Sequence, residues 1–169
     1  FVQSTVNRAS EVLGGKYTKL EKMDKLKNIA RETVDINGIG SYTLGRHRKN
    51  LTVEQKKIYQ DLFEKYFLKT FASRLAQYTN PEVRVDKSDK LNKNYTMVHS
   101  VLIATEKRPE IKIDWRVYTK DPNNLLIRDL IIEGLSLART QKEEFNSIIS
   151  SNDGNIDFLF VSLNQFITK

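Results

Sequence analysis

What most constrains this chain is a band of large aromatic rings between Thr52 and Asn80. Tyr59, Phe63, Tyr66, Phe67, Phe71, Leu75 and Tyr78 recur three or four residues apart, so a helix puts them on one face. Ile58, Leu62 and Leu68 widen that face. Thr52 with Gln55 has the pattern of a capping box at the start, and Asn80-Pro81 is a stop. Such a helix is about 40 Å long, at roughly 1.5 Å per residue. An apolar face this wide must be covered. It either lies on a sheet as an ordinary core helix or lines a cavity, and periodicity does not separate the two.

After Pro81 the period changes from helical to alternating. Residues 83–87 form a short strand candidate, and 94–105 place Tyr95, Met97, His99, Val101 and Ile103 on one side. Ile111, Ile113, Trp115 and Val117 then alternate with Lys112, Asp114, Arg116 and Tyr118. Asp121-Pro122-Asn123-Asn124 is a turn, and 125–133 is apolar enough to predict a strand buried on both faces. Gly134 breaks it. A helix follows from about Ser136, carrying Ala138, Phe145, Ile148 and Ile149. Residues 151–154 separate it from a last helix with Ile156, Leu159, Phe160, Leu163, Phe166 and Ile167.

Upstream, Val2, Val6, Ala9 and Leu13 form a helical stripe that Gly14-Gly15 stops. Met23, Leu26, Ile29, Ala30, Thr33 and Val34 form a second, and the glycine-punctuated stretch 34–45 holds a short helix or turns. The short links between strands imply an antiparallel meander, not parallel crossovers. The expectation is an α+β fold in one domain over 1–169, with a helical portion at about 1–50.

Composition excludes several classes. Of the 169 residues, 39% are hydrophobic and 29% charged, as in ordinary globular chains and not disordered ones. No stretch approaches the roughly 18 apolar residues of a membrane span. The absence of cysteine removes disulfides, thiolate metal sites and cysteine nucleophiles, and it is compatible with an oxidising compartment. A net charge of +7 favours anionic partners, but the lysines are spread widely and read as a solvated surface. A nucleic-acid partner is not expected, because the rings lie on amphipathic core faces and the cations are diffuse. The chain begins at Phe1 without a methionine, which fits a removed signal peptide.

Little in the sequence points to catalysis. His47 and His99 have no second ligand at a metal spacing, and each reads as structural; no metal is expected. Gly38-x-Gly40 is followed by Thr43 where a dinucleotide fingerprint needs a third glycine, so it implies no cofactor. No nucleophile elbow, phosphate loop or Ser-x-x-Lys motif occurs. The remaining carboxylates of interest are Asp114, Asp129 and Glu133. Asp129 lies in an apolar strand, where it must be paired, hydrogen-bonded or raised in pKa. The last case gives an alternative function: a cavity-containing α+β enzyme with Asp129 as acid/base.

Three stretches carry a family pattern: Asp114-Trp115-Arg116-Val117, then Ile127-Arg128-Asp129-Leu130-Ile131-Ile132-Glu133-Gly134-Leu135-Ser136-Leu137, then Gln141-Lys142-Glu143-Glu144-Phe145 with Ile148-Ile149. Together they closely resemble the MlaC family, also called the toluene-tolerance auxiliary proteins. Lys142 stands where the family often has Arg, and Leu135 where it often has Val. Leu44-Gly45-Arg46-His47 and residues 63–75 are also similar, although Arg48 replaces a family Trp. The resemblance covers about 34–167.

It implies a curved antiparallel sheet of NTF2-like or cystatin-like kind, with helices enclosing an apolar pocket. It also implies a non-enzymatic periplasmic carrier with phospholipid as cargo. Its partners would be an outer-membrane lipoprotein complex and an inner-membrane ABC transporter with an MCE-domain subunit. On face and size, the expected pocket residues are Phe63, Phe67 and Phe71 of the long helix with Val101, Ile103, Ile113, Trp115 and Val117 of the sheet. Glu133 is expected at the pocket mouth or in partner docking.

Overall fold

The computed structural model describes residues 1–78 and 81–169. Three helices lead, α1 (Val2–Gly14), α2 (Lys19–Thr33) and α3 (Ile36–Leu44), and a 3₁₀ turn (Gly45–Asn50) joins them to the long helix α4 (Val53–Leu75). The strands follow: β1 (Val83–Lys90), β2 (Tyr95–Leu102), β3 (Ile111–Tyr118), β4 (Leu126–Ile132) and β5 (Leu135–Ser136). Helices α5 (Leu137–Ser150) and α6 (Asp157–Thr168) close the chain. No helix among the described residues is long and apolar enough to cross a membrane.

Local chemistry sets the boundaries of α4. At its start the Thr52 hydroxyl accepts the Gln55 N–H at 3.1 Å, and the Gln55 side chain accepts the Thr52 N–H at 2.9 Å. At its end the chain tightens, with the Gln77 N–H bonding to Arg74 and the Tyr78 N–H to Leu75. The helix is therefore 23 residues long, shorter than expected. The expected stop at Asn80 lies outside the described residues.

The sheet is an antiparallel meander in the order β1-β2-β3-β4-β5. It has one more strand than expected, because Leu135 and Ser136 fold back on Ile132 and Ile131. Strand β1 runs to Lys90, past the apolar signal, because β2 supplies backbone partners as far as Thr96. Bulges interrupt β1 at Asp86 and β4 at Arg128, and a bulge bends its strand.

Register decides the two faces. Ser100 pairs with Ile113 and Val98 with Trp115, so these four point one way, together with Ile132 and Leu130. Met97, His99 and Val101 pair with Arg116, Asp114 and Lys112 and point the other way. The apolar clusters that join helices to the sheet contain strand residues of the first face only. That face is the inner one. Strand β4, expected to be buried on both faces, is buried only at Ile127 and half-buried elsewhere.

Candidate functional site

The inner face of the sheet and the aromatic face of α4 meet in a seam. The nearest backbone neighbours of α4 are α2, α3 and α6, so side chains must fill the space toward the strands. Phe63 sits deep in it, only 2% exposed. Its ring stacks on Tyr59 at 5.7 Å between centroids and meets Phe145 edge-on at 6.3 Å. One and two turns toward the C-terminus the environment opens. Phe67 and Phe71 stack at 5.8 Å with rings 12° apart, yet both remain half-buried. Trp115 and Leu130 border the same core and are also half-buried.

Trp115 holds the centre of this seam. Its indole N–H donates to the Ser100 hydroxyl at 2.8 Å, and that hydroxyl donates to the Ile113 carbonyl at 2.7 Å. Ser100 is itself buried, so the relay satisfies both polar groups inside an apolar surface. The indole also borders the second cluster, in which Val117 is buried beneath Val2 and Val6 of α1.

The expected pocket residues therefore separate. Phe63, Phe67, Phe71 and Trp115 join the core between α4 and the sheet, Ile113 shares the inner face of the sheet with Ser100, and Val117 packs under α1. Val101 is buried, but it lies on the outer face beside Arg84 and Lys112. Ile103 lies beyond the end of β2, bonded through its N–H to Glu82. Val98, Ser100, Leu130 and Ile132 belong to the inner face and were not singled out from sequence. Their alternation was legible, but not which half of it would turn inward.

Two open clefts lie elsewhere. One, of about 240 Å³, is lined by Leu44, Gly45, Arg46, Lys142 and Asn146. The other, of about 290 Å³, lies between α1 and α2 around Arg8, Tyr17 and Lys25. Among the described residues, no group of three or more His, Asp or Glu side chains is arranged so that it could hold a metal ion.

The charged candidates have clear local partners. Asp129 accepts the N–H groups of Leu130 at 2.8 Å and Ala138 at 3.0 Å through one oxygen, and the Ser136 hydroxyl through the other. It thereby fixes the first turn of α5 to β4, which accounts for a carboxylate in an apolar strand. Glu133 and Gly134 have φ of 50° and 81° and form the two-residue turn between β4 and β5. The Glu133 carboxylate accepts the Lys112 N–H at 2.6 Å, next to the inner-face pair Ile113 and Ile132. His47 is buried, and its Nε2–H donates to Asn146 Oδ1 at 2.8 Å. His99, on the outer face, lies between Asp114 (2.8 Å) and Asp89 (2.9 Å). Hydrogen bonds to Asp114 first, and then to Asp89, raise its pKa above the ordinary histidine value.

The family model described as MlaC protein matches residues 3–165. The chain belongs to the MlaC family. Among solved structures, this MlaC-family chain is similar to the phospholipid-binding protein from Ralstonia solanacearum, solved in complex with a phospholipid. The two share 24% identity with a TM-score of 0.83, over 99% of this chain and 94% of the other. At that identity the likeness establishes the α+β fold. No curated protein matches the chain.

Proposed function

We propose that this MlaC-family protein is a periplasmic phospholipid carrier that takes the acyl tails between α4 and the inner face of the sheet. The observation that carries the reading is the seam itself. Phe67, Phe71, Trp115 and Leu130 border one core, Ile113 and Ile132 lie beside Trp115 and Leu130 on the inner face, and all six remain half-buried where an ordinary core would be closed. The Ralstonia protein described as phospholipid-binding has the same fold, which supports this choice of cargo.

The energetics require such shielding. Burying acyl chain contributes about 0.8 kcal/mol per methylene, so two chains of roughly 30 methylenes are worth on the order of 20 kcal/mol. A lipid crosses water only if an apolar surface of that capacity travels with it. In this reading the seam provides that surface once α4 and the inner face part to admit the tails. Glu133, at the strand end beside Ile113 and Ile132, stands where a headgroup would meet water. The carrier would exchange lipid with an outer-membrane lipoprotein complex and an inner-membrane ABC transporter bearing an MCE domain. It would act without catalysis, since both oxygens of Asp129 are engaged in capping α5.

The test is extraction of the purified protein followed by native mass spectrometry. Phospholipid bound to wild type and largely lost in a Phe67→Ala, Phe71→Ala double variant is expected. Protein that carries none and takes up none from vesicles would end the carrier reading.

A further inference from the structure

The cleft of about 240 Å³ between the 3₁₀ turn and α5 is lined by Leu44 and Gly45 together with three donor-bearing side chains, Arg46, Lys142 and Asn146. Arg46 and Lys142 supply the cations. Among the described residues, neither has a carboxylate at ion-pair distance, although Arg139 on the same helix is paired with Glu143. Asn146 commits its Oδ1 to the buried His47, which leaves its NH₂ free to donate. Among the described residues, the Arg46 guanidinium reaches only the Ser150 hydroxyl beyond the cleft, at 3.5 Å. Lys142 is half-buried over the Tyr42 ring, 5.0 Å from its centroid.

Gly45 makes this arrangement possible. Its φ is +54°, and a Cβ there would come within 2.9 Å of Lys142 Cε. The absence of a side chain lets the lysine lie across the turn. Two cations and an amide donor around a small cleft fit a phosphate-type anion.

The surroundings point to a particular source of that anion. Arg48, Lys49, Lys56 and Lys57 follow within the next eleven residues after Arg46, with Glu54 the single acid among residues 45–57. Tyr42 and Val53 flank the same stretch and are 41% and 71% exposed. A free phosphate needs only the cleft. Cations that continue past it beside exposed apolar groups fit a surface of anionic headgroups.

We propose that the Arg46–Lys142 cleft binds the phosphate of anionic membrane lipids and docks this face of the protein on a bilayer surface. This goes beyond the carrier reading, because the cleft and the acyl seam share no residue.

The test is co-sedimentation of full-length protein with phosphatidylglycerol vesicles and with phosphatidylcholine vesicles, alongside titration with inorganic phosphate. Wild type is expected to bind the anionic vesicles, with affinity that falls as salt is raised. The Arg46→Gln, Lys142→Gln double variant should bind them about tenfold or more weakly. Its co-purified lipid, measured on the same preparation, should be unchanged, which separates failure of the docking site from failure of the seam. Equal binding of both proteins to anionic vesicles would overturn the proposal, as would equal binding of wild type to both vesicle types. Saturable phosphate binding without vesicle binding would overturn it in favour of a small-anion site. Binding to polyglutamate but to neither vesicles nor phosphate would overturn it in favour of an acidic protein partner.

Discussion

At the scale of single residues, His99 ties stability to pH. Both ring nitrogens face carboxylates, so only the imidazolium can donate to Asp114 and Asp89 together. Its pKa is raised on folding, so its contribution is complete below the unfolded value of about 6.5 and is lost as pH rises through the folded value. His99→Gln should therefore lower the melting temperature at pH about 5.5 and have little effect at pH about 9. An equal loss at both values would mean that the ring acts through packing alone. Trp115 is the sole tryptophan, so its emission reports on the seam. Ser100→Ala leaves its indole N–H without an acceptor, at a cost of about 1–2 kcal/mol by chemical denaturation, with a shifted emission maximum. Asp129→Ala should cost about 2 kcal/mol or more, by stranding the Ala138 N–H and the Ser136 hydroxyl. Asp129→Asn, which keeps an acceptor, should retain bound lipid.

At the scale of elements, α4 and α6 are joined by one side chain. The Lys69 ammonium donates to the carbonyls of Phe166, Ile167 and Lys169 at 2.7, 3.1 and 3.2 Å, in the last turn of α6, where carbonyls lack their regular helical partners and Phe166 otherwise accepts only a long bond from the Lys169 N–H at 3.4 Å. The same cation lies 5.3 Å from the Phe166 ring, which packs against Tyr66 at 5.0 Å. Lys69→Met keeps the apolar stem and removes this cap. It should cost about 1–2 kcal/mol and speed amide exchange in the last turn of α6 while leaving the sheet unaffected. Exchange that rises uniformly through the protein would refute a local tether. The sequence marked both ends of this contact as helices, but only the fold places a lysine of one at the end of the other.

At the scale of the whole molecule, α4 packs with α2, α3 and α6, and α5 is fixed to β4 through Asp129. Lipid entering the seam would have to part α4 from the inner face and press on Phe67, Phe71 and Trp115. Cargo that binds only the folded state stabilises it by about 2.7 kcal/mol at a hundredfold excess over Kd. Delipidated protein should accordingly melt several degrees lower, regain the difference with added phospholipid, and show slower amide exchange in α4 and β3 once loaded. Exchange that slows only in α1 and α2 would place the cargo in the α1–α2 cavity instead.

The sequence by itself determined the order of the elements. Short links between alternating segments left only an antiparallel meander, and Thr52 with Gln55 fixed the start of α4 by local hydrogen bonds. The stretch from Asp129 to Ser136 was the most specific of the three that together resemble the MlaC family. Tertiary structure decided which residues meet. A period of two divides a strand into two faces but does not say which face a neighbour's register turns inward. Val101 and Ile113 were thus equivalent as alternating apolar residues. Pairing of Val101 with Lys112 and of Ile113 with Ser100 put them on opposite sides of the sheet. In the same way Arg46 and Lys142 are far apart in sequence, and only the packing of the 3₁₀ turn against α5 makes one cleft of them.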